Sequence, residues 1–213
     1  MNKMIITIGR EFCSGGADIG HKIAEELGIP CYDKSILDKI ADDLQMDKEI
    51  VKKYDERQNS IWRNVPGYQY GFSWYASDPT LSMPISERIA NAQFNKIKEL
   101  AEAGSCVIIG RCADYVLRER DDVINVFIRA DLDKRIQRCM RNYNLDEYDA
   151  GKLIKRTDKI RASYYEAHTD SDWGNHDRID FTVDSGRLGI EPTCGFIINA
   201  ARFIAEHGRT EFK

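Results

Sequence analysis

The chain has no Cys-x-x-Cys pair, no excess of basic residues, and no apolar run near the ~20 residues of a membrane span. Its six cysteines (Cys13, Cys31, Cys106, Cys112, Cys139 and Cys194) are scattered, mostly inside apolar runs where Cys behaves as a small hydrophobe. That spacing argues against a zinc or disulfide framework. Lys and Arg number 31 against 35 Asp and Glu, a net charge of −4, so nucleic acid is not an expected partner. His21, His168, His176 and His207 lack metal-ligand spacing and read as surface or packing residues; no protein metal site is expected. The apolar run from Met4 to Ile8 is too short for a signal-peptide core. No internal repeat or low-complexity tract occurs. These absences predict a reduced, cytoplasmic protein without membrane association.

What is present begins at the start of the chain. Ile5-Ile6-Thr7-Ile8 is a β-branched run that feeds the turn Gly9-Arg10-Glu11-Phe12-Cys13-Ser14-Gly15-Gly16, which opens into an amphipathic stretch from Ala17. Strand, glycine-rich turn and helix in that order make a phosphate cradle, with backbone N–H groups and a helix N-terminus aimed at an anion. The G-x-x-x-x-G-K-[ST] pattern is incomplete, however: Gly16 and Ala17 stand where its lysine and hydroxyl residue would fall.

Further along, Ile19, Ile23, Ala24 and Leu27 form a helical stripe that Gly28 ends. Ile36, Leu37, Ile40 and Leu44 mark a second helix, and a third runs from about Ser86 to Ala103. Val107–Ile109, Val123–Ile128 and Phe181–Val183 read as strands, although Asn125 interrupts the second. Asp131 is a candidate N-cap for the following helix, a charged helix spans about Glu147 to Glu166, and Pro192 sits in the first turn of the last helix. Strands alternating with helices predict a doubly wound α/β parallel sheet, and 213 residues suit one such domain. Residues 57–85 depart from this order. Trp62, Tyr68, Tyr70, Phe72, Trp74 and Tyr75 crowd there among Gly and Pro, as suits a functional lid, a base-stacking cover, a local core or the contact surface of a homodimer.

In a sheet of this kind, ligands bind beyond the carboxyl ends of the strands. The Gly9–Gly16 turn, Asp33, Gly110-Arg111 and Arg129 all fall at such ends. Alternative readings remain for each polar group. Asp33 also suits a helix cap, Asp158 and Arg161 suit an i,i+3 surface pair, and Arg135 and Arg138, with Lys134 and Arg141, suit a solvated helix face.

Five segments taken together resemble the cytidylate kinase-like family: Ile-Thr-Ile-Gly-Arg-Glu-Phe-x-Ser-Gly-Gly at the start, Gly-Ile-Pro-x-Tyr-Asp-Lys at 28–34, Cys-Val-Ile-Ile-Gly-Arg-Cys-Ala-Asp-Tyr at 106–115, Asp158–Tyr165 and Asp184–Ile190. The resemblance implies a three-layer fold of the P-loop nucleoside triphosphate hydrolase and nucleoside monophosphate kinase type. Residues 1–213 would form one kinase-like domain, with an acceptor-side insert at about 45–85 and a helical lid at about 135–165. It implies phosphoryl transfer from ATP, with Mg²⁺, to a nucleoside monophosphate resembling CMP or dCMP. Arg10, Ser14, Gly15, Gly16, Ala17 and Asp18 would hold the donor phosphates. Asp33, Arg111, Asp158 and Arg161 would hold the acceptor, and Arg111, Arg135 and Arg138 would supply charge for catalysis. Arginine suits that task because its planar fork grips phosphate in a bidentate way.

The departures from a working kinase are Gly16 in place of the phosphate-loop lysine, Ala17 in place of the hydroxyl that would bind Mg²⁺, Ile109 where cytidylate kinase has an acidic residue, and Cys112 in place of the aspartate after Gly-Arg. Three readings follow: a kinase with an altered phosphate loop in which Arg10, Arg129 or a lid arginine compensates, a non-catalytic nucleotide-binding or regulatory protein, and a kinase for another small acceptor.

Overall fold

The computed structural model describes residues 3–49, 51 and 84–208. The aromatic segment 62–75, with its suggested lid, stacking or dimer role, lies outside the described residues. The chain divides into two compact units, one of residues 1–33 with 97–213 and the other of residues 34–96.

The larger unit is built on five parallel strands: β1 (Ile5–Arg10), β2 (Cys31–Tyr32), β3 (Cys106–Ile109), β4 (Val123–Arg129) and β5 (Phe181–Asp184). Their order across the sheet is β2-β3-β1-β4-β5. The chain leaves β1 toward one edge and leaves β3 toward the other, so the topological switch lies between these two neighbours. Two-residue alternation sends Ile6, Ile8, Val107, Ile109, Val126 and Ile128 to one face. There they pack with Ile19, Ile23 and Ala24 of α1 (Gly16–Leu27) and with Cys194, Ile197, Ile198 and Ala201 of the C-terminal helix (Ile190–His207). Ile5 and Ile108 point the other way and are also fully buried, as are Ile97 and Ala101 of the long helix Ile85–Ala103. Apolar burial on both sides explains why these strands read as continuous hydrophobic runs.

Gly28 ends α1 in the left-handed region (φ 64°). Its N–H reaches Glu25 O at 3.1 Å and Ile29 N–H reaches Ala24 O at 3.0 Å, closing the helix as the sequence suggests. Asn125 stands opposite Thr7 in the β1–β4 register, and its Oδ1 accepts a 2.6 Å hydrogen bond from Thr7 Oγ1. The interruption in β4 is therefore a paired polar position. Asp131 precedes the helix Leu132–Tyr143, but its side chain makes no capping bond; Arg129 Nη2 lies 3.7 Å away. In the smaller unit, the helix Ile36–Asp43 buries Ile36, Leu37, Ile40 and Ala41, and Asp43 pairs with Lys96 at 2.8 Å.

Candidate functional site

Beyond β1 the backbone alternates in hand. Cys13 (φ 58°) and Gly15 (φ 84°) are left-handed, Ser14 between them is not, and Gly16 begins α1. Alternating hands turn successive N–H groups toward one concave side, which is the backbone requirement of an anion cradle. The first helical bond is Ile19 N to Gly15 O at 2.9 Å, and no side chain caps this end. The N–H groups of Gly16, Ala17 and Asp18 thus have no intrahelical acceptor. Ser14, Gly15 and Gly16 are buried, while Ala17 and Asp18 are exposed. Ser14 Oγ donates to Glu11 O at 2.9 Å, fixing the turn from within.

The outer side of this loop is held by three arginines and a carboxylate. Arg161 Nη1 donates to Arg10 O at 2.9 Å, Arg135 Nε to Phe12 O at 2.8 Å, and Arg138 Nη1 to Cys13 O at 3.0 Å. Asp158 Oδ1 accepts the Phe12 N–H at 2.7 Å, and its Oδ2 pairs with Arg135. Arg135 also lies 3.3 Å from Glu11, whose other oxygen accepts the Ala130 N–H at 2.9 Å. Arg135 is only 6% exposed, so it does not belong to a solvated face, whereas Lys134 and Arg141 are exposed. Asp158 and Arg161 both turn to the loop backbone. Arg161 also stacks over Phe12 (5.4 Å to the ring centre), whose ring lies 5.6 Å from that of Tyr143. Burial lowers the pKa of Arg161, opposed by the Asp158 carboxylate. Burial, reinforced by Cys139, pushes the Cys13 thiol up to about 12, so it stays protonated.

Facing this loop across the switch is the end of β3. Gly110 (φ 72°), Arg111 (φ 63°) and Cys112 (φ 53°) are three consecutive left-handed residues. For Arg111 and Cys112 that conformation costs about 1–2 kcal/mol each, and strain of this kind gathers at functional sites. The turn is closed by Ala113 N to Gly110 O at 3.1 Å. Arg10 connects the two loops. A Cβ on Gly16 would lie 2.6 Å from Arg10 Cβ, and one on Gly110 would lie 1.7 Å from Arg10 Nη1. The arginine stem therefore crosses Gly16 and its guanidinium rests on Gly110. Asp33, at the end of β2, lies 3.3 Å from His21 Nε2 of α1.

Supports that residue-type reasoning alone did not single out come from segment 184–190, where the resemblance was the only signal. Asp184 caps the short helix Ser185–Leu188 through Gly186 N (3.0 Å) and Arg187 N (3.2 Å). Ser185, fully buried, donates from Oγ to Ser14 O and, at 3.1 Å, to Arg129 O. Ile190 Cδ1 lies 2.5 Å from where a Gly15 Cβ would be, and Arg138 Nη1 lies 2.9 Å from it. No side chain fits at position 15 without displacing both.

These residues fit a nucleotide's phosphates: a backbone cradle, a bare helix N-terminus and spaces that a Cβ would fill. They fit Mg²⁺ less directly. Among the described residues no group of three or more His, Cys, Asp or Glu gathers. Yet a phosphate-bound Mg²⁺ asks for only one or two carboxylates beside phosphates and water, and Asp18 stands exposed in the first turn of α1. Among the described residues no helix is long and apolar enough to cross a membrane.

The fold is shared with solved kinases. An uncharacterized protein from Eubacterium ventriosum matches with a TM-score of 0.71 and 29% identity, over 94% of this chain and 99% of that one. Shikimate kinase from Bacteroides thetaiotaomicron matches with a TM-score of 0.54 and 13% identity, over 94% and 99%. A gluconokinase from Sinorhizobium meliloti gives 0.54 and 13%, over 97% and 98%. No curated protein sequence matches the chain. The model of the cytidylate kinase-like family matches residues 5–187, which takes in the cradle, the Gly110-Arg111 turn, the arginine clamp and Ser185. The chain belongs to the cytidylate kinase-like family.

Proposed function

We propose that the protein is a phosphotransferase that moves a phosphoryl group from ATP to a nucleoside monophosphate of the CMP or dCMP type. The observation that carries this reading is the opposition of the Cys13–Gly16 cradle and the Gly110-Arg111 turn across the switch between β1 and β3. Phosphoryl transfer asks mainly for positioning and for positive charge on the equatorial oxygens. The cradle and the N-terminus of α1 would orient the donor phosphates, and Arg111 and Asp33 would orient the acceptor. Asp18 would be the carboxylate to hold Mg²⁺ with ATP, and the ion would supply neutralising charge on the phosphate oxygens. Arg135, Arg138, Arg161 and Asp158 act on this reading by holding the cradle's carbonyls and the Phe12 N–H, so that its inner N–H groups keep their aim.

A second reading, nucleotide binding without turnover, is favoured by the absence of a lysine at Gly16 and a hydroxyl at Ala17. It is also favoured by the commitment of three arginines to loop carbonyls. A coupled assay with ATP, Mg²⁺ and a panel of nucleoside monophosphates and small hydroxylated acceptors separates the readings. Turnover on a pyrimidine monophosphate is expected. ATP binding with no turnover on any acceptor selects the second reading, and turnover confined to a non-nucleotide acceptor replaces the nucleotide one.

A further inference from the structure

We infer that Arg10 takes the place of the missing phosphate-loop lysine, its guanidinium contacting the transferring phosphoryl group between the two loops. This rests on the nucleotide-binding reading and adds a residue to it. The observation is steric. A lysine is excluded at position 16 because a Cβ there would meet Arg10 Cβ at 2.6 Å, Arg10 Cγ at 3.0 Å and Ile128 Cβ at 3.3 Å. The residue that blocks the lysine is itself a cation. Its stem starts at the end of β1, and its guanidinium arrives over Gly110, where a Cβ would lie 1.7 Å from Nη1. Two glycines on two loops thus make room for one side chain.

The position matches the task. The cradle's free N–H groups lie on the Gly16 side and Arg111 on the Gly110 side, so a phosphoryl group passing from donor to acceptor crosses the span of Arg10. In the transfer, an acceptor phosphate oxygen forms a bond to the γ-phosphorus while the bond from that phosphorus to the β,γ-bridging oxygen breaks. The electron pair leaves on ADP, and no proton need move. Negative charge on the three equatorial oxygens is met by a planar fork of N–H donors. A cation placed there distinguishes ATP from ADP, because only ATP carries the γ-phosphate it reaches.

Binding of fluorescent ATP and ADP analogues, each with Mg²⁺ and without acceptor, tests this in wild type, Arg10→Gln and Gly110→Ala. Urea midpoints certify that each variant is folded. The Gly110 change displaces the guanidinium while leaving Arg10 and the cradle's own residues in place. Both variants are expected to lose ATP affinity about 10-fold or more, the scale of one charged hydrogen bond, with ADP affinity held within about twofold on the same reasoning. An equal loss for ATP and ADP, or unchanged ATP preference in either variant, overturns the assignment while leaving nucleotide binding intact. Wild type that binds neither nucleotide overturns the assignment and the reading beneath it together.

Discussion

Arg135 gives the sharpest energetic test. Its side chain is 7% exposed and meets Phe12 O at 2.8 Å, Glu11 at 3.3 Å and the Asp158 carboxylate. Arg135→Met keeps much of the volume and removes the charge. Phe12 O then loses its donor, and two carboxylates, 27% and 20% exposed, are left without their shared cation. Deleting one partner of a fully buried pair costs about 3–5 kcal/mol. Here Glu11 keeps the Ala130 N–H and Asp158 keeps the Phe12 N–H, and both carboxylates see some water, so the lower end, about 3 kcal/mol, applies. For a chain of this size each kcal/mol moves Tm by about 2–4 °C, which gives a fall of roughly 6–12 °C. Arg135→Lys should land between, because one ammonium lacks the planar fork that meets three acceptors at once. Thermal and urea unfolding followed by circular dichroism measure the loss. In a double-mutant cycle, Arg135→Met with Asp158→Asn should couple by more than about 1 kcal/mol. A Tm change within about 2 °C, set against that scale, or additive single effects, would refute the clamp as a stabilising unit.

Three further outcomes are expected. Gly15→Val forces a β-branched residue into φ 84° against Ile190 and Arg138, so calorimetry should show ATP binding abolished; unchanged binding removes the loop from the site. Arg111→Ala should lower acceptor affinity or turnover with an unchanged urea midpoint, and unaltered kinetics would take Arg111 out of the site. Burial holds the Asp114 carboxyl above its ordinary 3.8, opposed by the hydrogen bond from Tyr165, which is 2.6 Å long. The folded chain therefore binds that proton more tightly than the unfolded chain. The stabilisation is complete below about pH 4 and is lost as pH rises through the raised value. Urea midpoints of wild type relative to Asp114→Asn should accordingly fall as pH rises from about 4, and a flat or rising difference contradicts the burial argument.

The parts of this molecule written in local pattern were legible in its sequence. The Gly28 stop and the helical stripe of α1 each depend on neighbours a few residues away and stand where the pattern puts them, and the β-branched run is a strand, although β1 continues through Gly9 and Arg10, which the pattern assigns to the turn. Asn125 looked like a flaw in a strand because its partner, Thr7, is 118 residues away. Distance in sequence hid the arginine clamp in the same way. Asp158 and Arg161 are three apart on one helix, which locally suggests a pair, but their partners are Phe12 and Arg10, 146 and 151 residues off. Ser185 carries no chemistry readable from its type; only its burial beneath Ser14 reveals its part in the site. Gly16 was legible as an absence, and the reason for it was not, since steric exclusion by Arg10 exists only once both are placed.

The Thr7–Asn125 pair has a consequence for how the sheet finds its alignment. Sliding β4 by one residue along β1 would exchange its two faces and carry Asn125 in among Ile6, Ile8 and the apolar side chains of α1, so the pattern of side chains rejects that error by itself. Sliding by two restores the faces, and the isoleucines and valines of the two strands would match almost as well as before. In those alignments Asn125 would stand beside Ile5 or Gly9 rather than Thr7, and its amide oxygen would lose its hydroxyl donor at a cost of about 1–3 kcal/mol. A single polar pair thus proofreads the one misalignment that greasy strands cannot detect, and in doing so it sets the height of Arg10 relative to Arg129.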